Sequence, residues 1–299
     1  MRALRWIGII VGSLVGLIIL GVGVLYAVSE RRFARHYEVA GLEIPVPTDS
    51  ASLARGQHVS RIRGCSECHT ADFGGGPFID ETIVANLYTA NLTSGNGGVA
   101  SHYKSTADWE RSIRHGVAPD GRALLFMPAH EFYYLSDEDL GALIAYLRSL
   151  PPVDRGHPSQ AVGPVGRGLF AAGLLPLVPA EMIDHTGPRP VAPAPGVTPE
   201  YGKYLAVTCT GCHGPTLSGG PIPGAPPEMT APRNLTPEKV TGLGDWTLPE
   251  FTKAVREGIA KQGFQLSKDM PRWTSLTDDE VAAIWAYLQT VPAKAYGGR

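Results

Sequence analysis

The segment CSECH at residues 65–69 recurs as CTGCH at residues 209–213, and this pair of segments decides the fold. In a Cys-x-x-Cys-His segment, the two thiols bond covalently to the two vinyl groups of one porphyrin while the adjacent imidazole binds its iron. The two copies use all four cysteines of the chain. We therefore expect two covalently bound haem c groups, with these attachment residues and proximal iron ligands: Cys65, Cys68 and His69; Cys209, Cys212 and His213.

Cys-x-x-Cys pairs also occur in zinc sites, thiol redox sites and disulfides, and these are the alternatives to haem attachment. The zinc interpretation is weaker, because each half has only two cysteines and lacks nearby ligands to complete a tetrahedron. If all four thiols bond to porphyrin, no thiolate remains to bind iron. The two copies, each ending in His, favour haem over the other three interpretations.

The motifs belong to a longer internal repeat. Cys209 follows Cys65 by 209 − 65 = 144 residues, and later features recur at nearly the same offset. These are an Asn-Leu-Thr segment at 91–93 and 234–236, a polar-apolar run at 108–116 and 250–258, a Met-Pro at 127–128 and 270–271, and a closing segment at 135–151 and 276–292. An internal duplication explains this arrangement.

Both closing segments have the pattern of a helix with a capping box. Ser136 stands three residues before Asp139, and Thr277 stands three residues before Glu280. The apolar positions that follow fall on one helical face. Residues 50–63 and 198–208 predict shorter helices, which contain Gly56 and Gly202. We expect the first and last helices of each half to cross there, with the glycine permitting close approach to Tyr146 or Tyr287.

A helix leading into Cys-x-x-Cys-His, a later Met-Pro and a closing amphipathic helix resemble class I cytochrome c domains. The runs PDGRALLFMPAH (119–130) and LSDEDLGALIAYLRSLPPV (135–153) are most similar to cytochrome c subunits of periplasmic, membrane-bound dehydrogenases. Those subunits commonly have three such domains and an anchor at the other end, whereas this chain has two. The expected fold is all-α, with two tandem class I cytochrome c domains after one N-terminal transmembrane helix.

The resemblance implies that Met127 and Met270 are the sixth iron ligands. They alone among the methionines precede a proline at matching repeat positions. His130, or an open sixth position, is the alternative at the first haem. A soft thioether at both irons would raise both reduction potentials relative to bis-His haems and would suit electron transfer.

Residues 6–28 form an almost unbroken apolar run of 23 residues, long enough to cross a bilayer. We expect a retained signal anchor, because the run exceeds the apolar core of a cleaved signal and LYA at 25–27 is a poor cleavage site; cleavage is the alternative. The resemblance to bacterial c-type cytochromes implies haem attachment outside the cytoplasmic membrane. The predicted location is the bacterial cytoplasmic membrane, single-pass, with the haem domains in the periplasm.

The predicted domain organisation has five parts: anchor 1–28, stalk 29–48, cytochrome c domain 49–151, Pro/Gly-rich linker 152–197 and cytochrome c domain 198–299. Within the linker, residues 169–178 are apolar but too short to cross a membrane. We interpret them as a strap packed over the domain interface or a haem edge. Contact with the membrane surface or a partner subunit is the alternative.

These features predict a dihaem cytochrome that transfers electrons between a membrane or periplasmic donor and a separate acceptor, without catalytic activity of its own. Expected redox partners are a dehydrogenase, a quinol-oxidising complex, an oxidase or a soluble cytochrome, and the anchor contacts membrane lipid. A formal net charge of −2 gives no indication of nucleic acid binding. One alternative is an electron-transfer subunit of a membrane-bound dehydrogenase complex. Another is a dihaem peroxidase-like enzyme, which would need a displaceable sixth ligand.

Overall fold

The computed structural model describes residues 2–298 and is mostly helical. The α-helices are α1 (Arg2–Phe33), α2 (Ser50–Ile62), α3 (Cys65–His69), α4 (Thr106–His115), α5 (Ala129–Phe132), α6 (Asp137–Ser149), α7 (Pro164–Ala171), α8 (Pro199–His213), α9 (Leu248–Glu257) and α10 (Asp278–Leu288). The strands are β1 (Gly76–Glu81), β2 (Ala85–Thr89) and β3 (Ala161–Val162).

Helix α1 is long and apolar enough to cross a membrane, and its most apolar stretch is not buried by the rest of the chain. It continues through residues 29–33, where it packs on α7. The Phe33 and Phe170 rings stack with centroids 4.8 Å apart, and Arg167 donates to Ser29 Oγ over 2.7 Å. The last turn of α1 is therefore fixed to the globular part of the protein.

In each half, the first helix crosses the closing helix at a glycine, as the sequence predicts. A Cβ atom on Gly56 would collide with the carbonyl oxygen of Ala142 in α6 and lie 2.8 Å from the Cβ of Tyr146. The same holds where α8 crosses α10. There a Cβ on Gly202 would collide with the carbonyl of Ala283 and lie 2.9 Å from the Cβ of Tyr287. Only glycine lets these backbones approach so closely.

The two predicted capping boxes differ. At α10, Thr277 Oγ1 accepts from the N–H of Glu280 over 3.2 Å, and the Glu280 carboxylate accepts from the N–H of Thr277 over 2.9 Å. At α6, Ser136 Oγ accepts from the N–H of Asp139 over 3.1 Å. The Asp139 carboxylate turns elsewhere, however, so only half of that box forms.

A three-stranded antiparallel sheet, ordered β1-β2-β3, corrects the all-α expectation. The hairpin β1–β2 lies between the first Cys-x-x-Cys-His and Asn-Leu-Thr segments, and β3 comes from the linker. Residues 78–89 are rich in β-branched and aromatic side chains, which favour a pleated strand. The equivalent stretch of the second half, 219–233, is rich in Pro and Gly and contains no strand.

The predicted strap packs on the first half of the chain. Phe170, Leu177 and Val178 are buried in a cluster with Tyr37 and Leu87. The Leu177 carbonyl accepts from the N–H of Phe126 over 2.9 Å. The strap thus contacts the loop that carries Met127, in keeping with the haem-edge interpretation. The limits of the predicted domains stay predictions.

Candidate functional site

The first Cys-x-x-Cys-His segment is the single turn α3, entered through Gly64 at φ 70°. Cys65 and Met127 both pack against the core of the first half. His69 Nδ1 lies 2.8 Å from the carbonyl oxygen of Ala90. Because a carbonyl only accepts, Nδ1 carries the proton and Nε2 keeps its lone pair for a metal.

The second segment forms the last turn of α8, and its histidine has the same arrangement. His213 Nδ1 lies 2.6 Å from the carbonyl oxygen of Arg233. Arg233 immediately precedes the second Asn-Leu-Thr segment, as Ala90 precedes the first. Both imidazoles are therefore oriented by equivalent backbone groups.

The Asn-Leu-Thr segments hold these carbonyls in place. The amides of the buried Asn91 and Asn234 each donate over 2.7 Å to a carbonyl beyond the closing helix, that of Val153 and that of Lys294. Each Asn Oδ1 accepts from the N–H of the Thr two residues later, over 2.9 Å. A buried Asn thus links each histidine-orienting turn to the end of its domain.

The thiols of Cys65 and Cys209 are in apolar surroundings. Burial raises the pKa of Cys65 to about 12 and that of Cys209 to about 12, so both thiols are neutral at neutral pH. A thiol redox site needs a lowered pKa, which disfavours that alternative. Within residues 2–298, no group of three or more His, Cys, Asp or Glu could hold a metal ion, which disfavours zinc.

Met127 lies on a loop of unusual backbone conformation. The preceding Phe126 has φ 63°, which is rare for a residue with a side chain, and the strap accepts its N–H. His130 lies three residues after Met127, with a buried Nδ1 that has no hydrogen-bond partner in the described structure. Burial lowers the pKa of His130. The alternative ligand therefore lies in a neutral form in the short helix α5, just after the Met127 loop.

The loop of Met270 is held by a neighbouring side chain instead. Arg272 donates to the carbonyls of Leu266 and Ser267 over 3.1 and 3.2 Å, and to that of Met270. The guanidinium thereby gathers three backbone oxygens of the loop. Met270 itself is half-buried.

The residues of the first half fit a covalently held haem. This half supplies two neutral thiols, an imidazole with its Nε2 free for iron, and a thioether, and Cys65 and Met127 pack on its apolar core. In that core, the Trp109 Nε1 is buried and has no hydrogen-bond partner in residues 2–298. A haem would bring both apolar surface and polar acceptors to such a site.

Both attachment segments lie near the contact between the halves, where Arg63 binds the part of α8 that leads into the second segment. Arg63 lies two residues before Cys65 and is only 5% exposed. Its guanidinium donates to Thr208 Oγ1 over 3.2 Å and to the carbonyls of Leu205 and Tyr204 over 3.3 and 3.1 Å. Thr208 immediately precedes Cys209.

Each Met-Pro loop also packs on the attachment segment of the other half. Trp273 lies 3.4 Å from where a Cβ would stand on Gly64. The Glu131 carboxylate occupies the space that a side chain at Gly211 would need. Burial raises the pKa of Glu131 to about 7, against the opposing charge of Arg63. The contact is therefore reciprocal.

The same pseudo-twofold pattern recurs at the helices. His58 and Tyr204 each lie two residues after the crossing glycine of their half. His58 Nε2 lies 2.7 Å from the Glu280 carboxylate, and Tyr204 donates its hydroxyl to the Asp139 carboxylate over 2.6 Å. Glu280 and Asp139 are the equivalent residues of the two closing helices. Each half therefore supplies a side chain that binds the first turn of the closing helix of the other half.

The sequence prediction named Asp139 and Glu280 as helix caps but assigned no residue to this contact. Arg63, Glu131 and Trp273 fall outside the matched motifs, and their partners are backbone groups or residues far away in the chain. One signal was available in the sequence. His58 and Tyr204 each lie two residues after the crossing glycine of their half, although their side chains differ.

Comparison with known proteins agrees with this architecture. Residues 53–151 match the cytochrome c family, and residues 200–288 match the family described as cytochrome c oxidase, cbb3-type, subunit III. The cytochrome c subunit of the quinone alcohol dehydrogenase of Gluconacetobacter polyoxogenes is 29% identical over 82% of this chain and 57% of that protein. The gluconate 2-dehydrogenase cytochrome c subunit of Pantoea cypripedii is 27% identical over 82% of this chain and 61% of that protein.

A dihaem cytochrome c-type protein of Cereibacter sphaeroides is 26% identical over 82% of this chain and 87% of that protein. The chain thus spans little more than half the length of the dehydrogenase subunits, but most of the dihaem protein. It contains two cytochrome c domains, is homologous to cytochrome c subunits of dehydrogenases, and carries two covalently bound haem c groups.

Proposed function

We propose that this chain, with its two cytochrome c domains, is a membrane-anchored electron-transfer protein. It accepts electrons one at a time from a membrane or periplasmic donor and delivers them to a separate acceptor through both haems. The observation that carries this proposal is that each attachment segment packs against the region after the Met-Pro of the other half. Electron transfer slows steeply with distance, and this packing puts both attachment sites at the contact between the halves.

We assign the haem-binding residues from the repeated motifs, and the orientation of the two histidines supports this assignment. Each iron is bound by the Nε2 of a histidine whose Nδ1 proton is held by a backbone carbonyl, and by a methionine thioether. The attachment and ligand set is Cys65, Cys68, His69 and Met127 for the first haem, and Cys209, Cys212, His213 and Met270 for the second. When bound, the haems supply one-electron exchange between Fe(III) and Fe(II).

The protein's own residues contribute position and shielding. Arg63 fixes the end of α2 to α8, so the two attachment segments keep one separation. The Asn91 and Asn234 turns fix the orientation of the imidazoles. Glu131 and Trp273 cover the opposite attachment segments and exclude water between the halves.

Retention of α1 as an anchor is supported by its continuity. The helix runs without a break from Arg2 to Phe33, whereas signal cleavage needs an accessible, extended segment. The Arg167 guanidinium lies over the Tyr26 ring, 4.4 Å from its centroid. We place the protein in the bacterial cytoplasmic membrane, with the haem domains in the periplasm. The intact mass of the purified protein tests this, because cleavage after Ala27 would remove residues 1–27.

A second candidate function is that of the electron-transfer subunit of a membrane-bound dehydrogenase complex. It is favoured by the similarity to cytochrome c subunits of alcohol, gluconate and fructose dehydrogenases. Purification from the native membrane in mild detergent tests it. A co-purifying flavin or quinoprotein subunit would support the complex, and a lone dihaem chain would contradict it.

The visible absorption spectrum of the oxidised and reduced protein tests the carrier function. A sulfur-to-iron charge-transfer band in the far red, at full strength for two haems and without high-spin signals, is expected. A half-strength band with high-spin iron would contradict paired His/Met ligation. Turnover of hydrogen peroxide by the same sample would then favour an enzyme with an open sixth position.

A further inference from the structure

We infer that the β1–β2 turn and the start of α7 insert together into the outer surface of the lipid bilayer beside α1. We call this feature the hairpin tip and define it as residues 82–84 and 164–165. The inference rests on the retained anchor of the proposed function. It adds a second point of membrane contact, which sets the orientation of the first haem domain above the bilayer.

The depth of the hairpin tip follows from α1. Trp6 and Tyr26 are 20 residues apart in one helix, a rise of about 30 Å, which matches the hydrocarbon thickness of a bilayer. Trp and Tyr prefer the two membrane interfaces. With Trp6 at the inner interface, Tyr26 lies at the outer one.

Helix α7 begins at that level. Arg167 lies over the Tyr26 ring and donates to Ser29 Oγ and, over 2.9 Å, to the Glu30 carboxylate. One turn later, Phe170 stacks on Phe33, which is farther from the bilayer. The N-terminal end of α7 is therefore its membrane-proximal end.

The β1–β2 turn is bonded to this end of α7. The N–H of Val165 donates to the carbonyl of Ile83 over 3.0 Å, and that of Gly163 donates to the carbonyl of Val84 over 2.9 Å. The side chains of Ile83 and Val165 are 59% and 43% exposed. Two adjacent apolar side chains thus project from the protein at the depth where α1 leaves the hydrocarbon.

The surrounding charges indicate an apolar contact with lipid. Asp80, Glu81 and Glu30 are exposed near the hairpin tip, and Arg31 and Arg35 are exposed at the end of α1, while Arg167 is paired with Glu30. These three carboxylates balance the three guanidinium groups, so there is no net attraction to anionic headgroups. Insertion should therefore proceed equally well in a neutral bilayer.

The test uses the full-length, haem-loaded protein in phosphatidylcholine nanodiscs with one nitroxide label. The haems occupy the four native thiols, so Ile83→Cys or Val165→Cys provides the single reactive cysteine. Thr82→Cys is a further position on the hairpin tip, and Val240→Cys, which is 88% exposed in the second half, is the control. Electron paramagnetic resonance power saturation then compares collisions with oxygen, which concentrates in lipid, and with a water-soluble nickel chelate.

Labels on the hairpin tip are expected to collide several-fold more with oxygen than with the nickel chelate, and the label at Val240 should show the reverse. Adding phosphatidylglycerol should leave these ratios unchanged. Nickel accessibility at 82, 83 and 165 equal to that at 240, in a chain whose intact mass shows the anchor, would overturn the inference alone. An intact mass without the anchor would overturn both the inference and the anchored location, while the haem spectrum would still test electron transfer separately.

Discussion

The loops of Met127 and Met270 occupy equivalent places in the two halves, but they are held in different ways. The Met127 loop depends on the linker, because the Leu177 carbonyl accepts the N–H of Phe126. The Met270 loop is held from within by Arg272, which gathers three of its backbone carbonyls. The duplicated segments thus share the haem chemistry, whereas unique residues fix the position of each proposed sixth ligand.

This difference shows where a duplicated protein can diverge. The motif residues are constrained by porphyrin geometry in both copies. The residues that hold the Met127 and Met270 loops are not constrained in this way. The first half has a sheet and a strap that connect it to α1. The first haem site is thereby connected to the N-terminal apolar helix α1 through the strap.

Removal of one pair of thiols should have the largest effect. The double variant Cys65→Ala and Cys68→Ala is expected to lose the first haem and keep the second, so haem content falls from two to one per chain. The reason is that each half provides its own attachment residues. Pyridine haemochrome absorbance per mole of protein measures this. Cys209→Ala with Cys212→Ala is the matched variant, and loss of both haems from either would contradict independent sites.

Leu177→Ala should show that the Met127 and Met270 loops are held by different contacts. Leu177 is fully buried, and loss of such a side chain costs about 2–5 kcal/mol of unfolding free energy. In single-haem chains, the variant should weaken the far-red band of the first haem and spare that of the second. Arg272→Ala should do the reverse.

The exposed Leu174 provides the control for that experiment, because Leu174→Ala opens no buried cavity. Chemical unfolding and the visible spectrum are the measurements. Equal weakening of both far-red bands by Leu177→Ala would show that the strap supports the whole protein rather than the Met127 loop.

Arg63→Ala should weaken the contact between the halves. Two buried carbonyls and one half-buried hydroxyl in α8 lose a charged donor, and the unfolding free energy should fall by roughly 2–3 kcal/mol. The single calorimetric unfolding transition should broaden or split into two transitions, since the halves would unfold more independently. Arg61→Ala changes an exposed residue of α2 and is the control. An unchanged transition in Arg63→Ala would show that the other contacts suffice.

Glu280→Gln should have the smallest effect, and one that depends on pH. Burial would raise the pKa of Glu280, but hydrogen bonds from His58 and Thr277 outweigh it and keep the pKa below the ordinary value. A lowered folded-state pKa stabilises the protein above the unfolded-state pKa, and this contribution is lost as pH falls through the folded-state pKa. The wild type should therefore lose stability in acid more steeply than the variant.

The measurement is thermal unfolding between about pH 3 and pH 7, which spans the ordinary pKa of a glutamate. Asp279→Asn, on the same first turn but exposed, is the control and should keep the steep acid dependence. Parallel curves for the wild type and Glu280→Gln would show that this cap contributes nothing to the contact.

Much of the helical framework could be read from the sequence. The glycines at 56 and 202 predicted the helix crossings, because the absence of a side chain has a single steric consequence there. The Thr277 cap was also predicted, since its partner is three residues away. The sequence prediction omitted the sheet although residues 78–89 carry a strand pattern. The prediction rested on the internal repeat, and the second half has no equivalent of this segment.

The Ser136 cap shows why local patterns fail at an interface. Asp139 has the local geometry to complete its box, yet its carboxylate accepts from Arg55 and Tyr204. The N–H of Ser136 donates instead to the Tyr204 hydroxyl over 3.2 Å. A partner 68 residues away gives no signal in a local pattern.

The sequence by itself determined the two haem groups, the duplication, the candidate ligands and the apolar N-terminal helix, because each follows from residue types at fixed short spacings. Only the tertiary structure decided that each attachment segment packs against the region after the Met-Pro of the other half, that Arg63 joins α2 to α8, and that the strap connects the Met127 loop to α1. Those contacts use backbone carbonyls and side chains distant in the chain. Their positions depend on how whole helices pack, which short spacings do not encode.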